Sequence, residues 1–292
     1  MTQSVQPLEG RMTRILTPWD EGKGRVIDAE EALRRVKSRK APEPPKVKTP
    51  KPLSLEDYIM LEDITCTDAD GNVFEQYKRL YLAKDVIHYS PLGEKSSTFE
   101  AILTAESQGG FVPSLALTCN ILAKLLQLKE DPTIDAVLRS YATLKGLGTY
   151  TVQNTIIDCG NHEIIHYPMA HELVTAGFPR TVFVNVQQRR KFPYSAFGPG
   201  PISGPVWVLH PSFLANGEPK RFFQNLTGLS DPIVLYNISN YLGNGFDIWT
   251  PSLFTESGTR SVAISLQTVG FRIHADRDIN ASDNVARWVR ET

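Results

Sequence analysis

The sequence predicts an α+β fold: a helical cluster followed by a mostly antiparallel or mixed β-sheet region, behind a flexible N-terminal arm. Three observations lead there. Residues 97–146 carry apolar side chains at helical spacing, with N-cap residues and glycine stops at the ends of the runs. From about residue 149, short runs rich in β-branched and aromatic residues are separated by turn residues, without the regular alternation of strand and helix that a parallel sheet needs. Before residue 54, bases and prolines displace apolar residues. With 292 residues, 41% of them hydrophobic, the chain can build one integrated core. The organisation is therefore an arm over residues 1–53 and a single domain over 54–292, helical over about 97–146 and β-rich over about 149–292.

The net charge of -1 hides a segregation. Arg34, Arg35, Lys37, Arg39, Lys40, Lys46, Lys48 and Lys51 stand against Glu43 alone, and Pro42, Pro44, Pro45 and Pro50 make the same stretch an extended, polyproline-like spacer. Just before it, Asp28 to Lys37 has acids first and bases last, the order a short helix prefers. Such an arm suits a protein or other acidic partner. Nucleic acid is not favoured, because no aromatic side chain is interleaved between Arg34 and Lys51 to stack on bases.

Ser54-Leu55-Glu56-Asp57 resembles a capping box, and Leu55, Ile59 and Leu61 continue it as a short helix. Asp70-Gly71, between Ile64-Thr65-Cys66-Thr67 and Val73-Phe74, reads as the tip of a hairpin. A calcium loop on Asp68, Asp70 and Asn72 would need a differently placed glycine and a terminal glutamate. Ser97-Thr98-Phe99-Glu100 opens a helix that Gly109-Gly110 stops. Ser114 then caps a helix whose Leu115, Leu117, Ile121, Leu122, Leu125, Leu126 and Leu128 make it the buried centre of the cluster, and Asp131-Pro132 starts a third. Strands are expected from Thr149 to Cys159 and at 181–186, 206–209, 233–238, 246–249, 261–266 and 270–274. A brief helix is expected over Ala170 to Thr175, and Ser282-Asp283 caps a last one carrying Val285, Trp288 and Val289.

Half of the six histidines fall within residues 156–172. His162-Glu163-Ile164-Ile165-His166 spells H-E-x-x-H, which on a helix sets two imidazoles on one face for zinc, with the carboxylate as general base. Over these five residues the chain resembles the zincin metalloproteases. That resemblance implies a zinc hydrolase with His162, His166 and His171 as ligands and Glu163 as the base. Met169 stands where the longer metzincin pattern needs glycine, and Pro168 would break the helix. Gly160-Asn161-His162-Glu163 also resembles one block of the calcineurin-like metallophosphoesterases, whose other blocks do not occur here. The competing reading is a β-hairpin, with Ile156-Ile157 mirrored by Ile164-Ile165 about a two-residue Gly160-Asn161 turn.

The function expected is a non-catalytic binding or assembly protein, with the basic arm for one partner and the α+β body for another contact. The alternative is the zinc hydrolase. Three scattered cysteines give no disulfide framework. No run of apolar residues is long enough for a signal peptide or a membrane span, so a cytoplasmic location without membrane contact is expected.

Overall fold

The computed structural model describes residues 53–86, 101–102, 105–106, 109–143, 150–168, 190–195, 197, 206–208, 211–242, 246–250, 258–267, 270–277 and 284–291. The basic arm, the cap at 97–100, the helix at 170–175 and the strand at 181–186 lie outside them.

Ser54 opens the fold with a single 3-10 turn, Leu55–Asp57. Its N–H (2.7 Å) and hydroxyl (2.9 Å) both donate to the Asp57 carboxylate. The helix expected to continue through Ile59 and Leu61 is corrected to a strand, β1 (Tyr58–Thr67), paired antiparallel with β2 (Val73–Ala83) from Tyr58↔Ala83 to Thr67↔Val73. Ile59 and Leu61 point inward at a spacing of two, so tertiary pairing overrides the local helix signal. Midway, Glu62-Asp63 and Lys78-Arg79 are exposed in succession, and Asp63 takes φ +55, so the inward set changes phase on both strands there. The expected tip forms at Asp70-Gly71. Asp68 Oδ1 accepts the N–H of Asp70 (2.9 Å) and of Asn72 (2.8 Å), which turns that oxygen toward its own loop rather than toward a cation.

The helical cluster follows its sequence signals. Ala101, Ile102, Ala105 and Glu106 are helical. The stop at Gly109 (φ +72) is a Schellman pair, with Gly109 N–H on the Glu106 carbonyl (3.0 Å) and Gly110 N–H on that of Ala105 (2.9 Å). Helix α1 (Leu115–Gln127) is capped by Ser114, whose Oγ accepts from Leu117 N–H (3.0 Å). It is buried over most of its circumference and packs on β1, α2 (Pro132–Thr143), α3 (Gly217–Thr227) and α4 (Val234–Tyr241). Helix α2 starts as expected, with Asp131 Oδ1 accepting from Thr133 N–H (2.7 Å).

The β-rich part is one eight-stranded sheet. Its members are β3 (Tyr150–Asp158), β4 (Glu163–His166), β5 (Arg190–Pro193), β6 (Val206–Val208), β7 (Phe246–Thr250), β8 (Thr259–Gln267), β9 (Gly270–Arg277) and β10 (Asn284–Val285). They run in the order β5-β4-β3-β8-β9-β7-β6, with β10 beside β3. Only β7/β9 and β10/β3 are parallel among these pairings. The last described strand, β11 (Val289–Arg290), lies outside this sheet and pairs with β2, giving a smaller sheet β1-β2-β11.

Two further expectations are corrected. The strand at 233–238 is α4, where Leu235, Ile238 and Ser239 share the buried face at helical spacing. The final helix from Ser282-Asp283 is replaced by β10 and β11, because neighbouring Trp288 and Val289 are both buried and the β2 edge takes Val289 opposite Leu82. The main core joins both sheets and helices α1 to α4, from Leu61 and Leu80 through Leu117 and Phe223 to Ile264 and Ile273. No described helix is long and apolar enough to cross a membrane.

Gly228 marks a tight approach in this core. It ends α3 at φ +63, and a Cβ there would lie 2.9 Å from the Cβ atoms of both Ala116 and Cys66. Left-handed strain and overpacking together should make Gly228→Ala destabilising by about 2–4 kcal/mol in urea unfolding. A loss under about 1 kcal/mol would show that α1 and β1 can separate freely.

Candidate functional site

The segment with the most chemistry in the sequence is a hairpin. β3 and β4 pair from Asp158↔Glu163 to Thr155↔His166. The helix that H-E-x-x-H requires is thus absent, and Pro168 follows the strand without strain on any helical hydrogen bond. The connection is four residues rather than two. Asp158 holds it, accepting the N–H groups of Gly160 (3.0 Å) and Asn161 (3.0 Å) on Oδ1 and the Asn161 side-chain amide on Oδ2 (2.7 Å). The left-handed residue is His162 (φ +54), not Gly160. Tyr167, at the other end of β4, is left-handed too (φ +51).

The three members of the motif go to different environments. His162 is exposed on the turn, its ring stacked 5.5 Å from that of Tyr194. Glu163 accepts from Lys191 on β5 (3.1 Å). His166 is fully buried between Phe74, stacked at 5.6 Å, and Phe192. Its Nε2–H donates to the Asn225 carbonyl (2.9 Å), and Nδ1 accepts from the Thr155 hydroxyl (2.9 Å), which itself accepts from Leu115 N–H (2.9 Å). Both ring nitrogens are committed, which leaves no lone pair for a metal in this geometry. Burial pushes its pKa down to about 4, against the pull of the Asn225 hydrogen bond. His171 lies outside the described residues, as does the basic set Arg34 to Lys51. Among the described residues, no group of three or more His, Cys, Asp or Glu stands ready to hold a metal.

A second cluster, unread in the sequence, lies at the N-terminus of α1. Glu75 is 1% exposed on β2 and receives three hydroxyls: Tyr167 (2.7 Å) and Tyr77 (2.9 Å) on Oε1, and Ser114 (3.3 Å) on Oε2. Tyr167 Oη also accepts from Ser114 N–H (3.2 Å). Burial pushes the Glu75 carboxyl up to about 7. The three hydroxyls pull the other way, and the like charge of Glu291 adds a small push upward. Its signal in the sequence was one carboxylate inside an otherwise half-apolar strand.

Beside the hairpin, a cavity of about 230 Å³ opens between the end of β5 and α3. Tyr194 and Phe222, edge to face at 5.3 Å, form its apolar side, with Ser195, Glu218, Arg221 and Asn225 around it. Arg221 reaches out of α3 to grip Asp70 at the β1/β2 tip with two bonds (2.8 and 2.9 Å). Asn225 Oδ1 accepts from Ala69 N–H (2.8 Å). The cavity is thus framed by α3, which the sequence reading missed. Comparison with protein-family models, curated proteins and solved structures returned no match.

The two buried titrating groups act in opposite senses. Glu75 has a raised folded pKa, so its neutral form favours the fold and stability falls as pH rises from about 4.5 to about 7. His166 has a lowered one, so stability falls as pH drops from about 6.5 to about 4. The slopes oppose each other in the native chain. Glu75→Gln should leave the His166 slope uncovered, and its stability relative to native should rise by on the order of 3 kcal/mol between pH 4.5 and 7.5. Urea unfolding at a series of pH values reads the difference; a constant difference would mean that Glu75 does not titrate in this range.

Proposed function

We propose that this chain is a binding or assembly protein that holds an acidic partner with the basic segment 34–51 and makes a second contact through its folded body. The observation that carries this reading is the separation of charge along the chain. Residues 1–53 contain 12 Lys or Arg against 7 Asp or Glu, and the rest contains 19 against 25. Eight bases against one acid in eighteen residues make that segment attractive to a partner of opposite sign. The cavity beside Tyr194, Phe222 and Arg221 supports the second contact, since it offers apolar surface with convergent polar groups. A cytoplasmic location fits the three free, buried cysteines.

The test uses immobilised polyglutamate and, in parallel, a DNA duplex. The full chain should be retained on polyglutamate at about 0.05 M salt and released near 1 M, where the Debye length falls to about 3 Å. Changing Arg34, Arg35, Lys37, Arg39, Lys40, Lys46, Lys48 and Lys51 together to Gln, or deleting residues 1–53, should abolish retention. Undiminished retention would end the arm's role, and stronger retention on DNA would turn the reading toward nucleic acid.

A further inference from the structure

The eight-stranded sheet buries polar side chains on the face away from its helices. Val262 and Ile264 of β8 and Phe271 and Ile273 of β9 enter the main core. Their neighbours Ser265, Arg272 and His274 must therefore point to the opposite face. The register sets Ser265 opposite Arg272 and Arg272 opposite Asp247 of β7, so the three form a row across three strands. His274, two residues along β9, completes the group: Ser265 Oγ and His274 Nε2 are 2.7 Å apart. Arg272 donates to Asp247 Oδ2 from Nε (3.1 Å) and from Nη2 (2.5 Å). Ser265, His274 and Asp247 are 4%, 5% and 5% exposed, yet Asp247 Oδ1 is buried without a hydrogen-bond donor. A buried carboxylate oxygen left bare is costly, and a donor on a bound molecule would satisfy it.

We propose that Ser265 and His274 are a nucleophile and base pair for the hydrolysis of a carboxylic ester, an activity beyond the binding role. A hydroxyl within hydrogen-bond reach of an imidazole Nε2 is the arrangement that activates serine. In the tautomer with the proton on Nδ1, His274 Nε2 accepts the Ser265 proton as Oγ bonds to the acyl carbon. Arg272, opposite Ser265 and fixed by Asp247, supplies positive charge for the oxyanion. Collapse breaks the bond to the alcohol oxygen, and His274 returns the proton to that leaving group. Water then adds to the acyl carbon and gives its proton to His274. The second collapse releases the carboxylic acid as Oγ takes that proton back.

The full chain would be treated with a fluorophosphonate probe and mapped by peptide mass spectrometry, alongside hydrolysis of 4-nitrophenyl acetate. Time-dependent labelling at Ser265 is expected. Ser265→Ala should abolish labelling, and His274→Gln should slow both labelling and ester hydrolysis by at least about 100-fold while the melting temperature stays near native. A native chain that takes no label, or takes it at another residue, overturns the proposal whatever the variants do.

Discussion

The buried carboxylate of Glu75 is the constraint on which the arrangement of the body depends. An ionised carboxylate without partners would be strongly disfavoured at this depth. Its three hydroxyls come from β2, from the residue that caps α1 and from the residue that ends β4. Ser114 therefore has two tasks, accepting from Leu117 N–H to start the central helix and donating to Glu75. Tyr167 likewise joins the small sheet to the large one, and its left-handed backbone sets the tyrosine where β4 ends. Burial favours the neutral form while the three hydroxyls favour the ionised one, and the balance falls close to neutral pH.

The same joint explains the fate of the histidine motif. β3 is irregular between Val152 and Ile156, where it shifts register against β8. Gln153, Asn154 and Thr155 are buried in that interval, and the Gln153 and Thr155 side chains bond to α1 and to β4. Thr118 Oγ1 donates to Gln153 Oε1, Asn154 N–H donates to the Pro113 carbonyl (2.8 Å), and Thr155 passes the Leu115 N–H on to His166. His166 thus carries on a chain of hydrogen bonds that runs from the start of α1 to the Asn225 carbonyl. A metal on either ring nitrogen would displace the Thr155 or the Asn225 hydrogen bond.

Legibility in the sequence followed the range of the interaction. Caps and stops were readable because they act within five residues: Ser114, Asp131 and Gly109-Gly110 each do what their type and position announce. The β3/β4 hairpin was readable from its mirrored isoleucines, but its loop was not, because Asp158 outside the Gly-Asn pair organises it. Helix α4 was missed although Asp231-Pro232 repeats the start signal of α2. Ile233-Val234-Leu235-Tyr236 has strand composition, and only packing on α1 and β7 decides for the helix. The network at Glu75 lay beyond reach, since its members are separated by up to 92 residues.

Alternation of apolar and polar residues in β8 and β9 is ordinarily the sign of a sheet with one face in water. Here both faces are buried, so the polar residues of the second face had to find partners as those around Glu75 did. At Glu75 both carboxylate oxygens have donors; at Asp247 only Oδ2 does. Two buried carboxylates on strands of one body therefore differ in completeness, and the difference separates their roles. The complete network fixes sheets and helix to one another, and any ligand would have to displace a partner to enter it. The incomplete one keeps an acceptor in reserve within the same polar row as a hydroxyl paired to an imidazole. A donor on a ligand can reach that oxygen without displacing a protein partner, which it cannot do at Glu75.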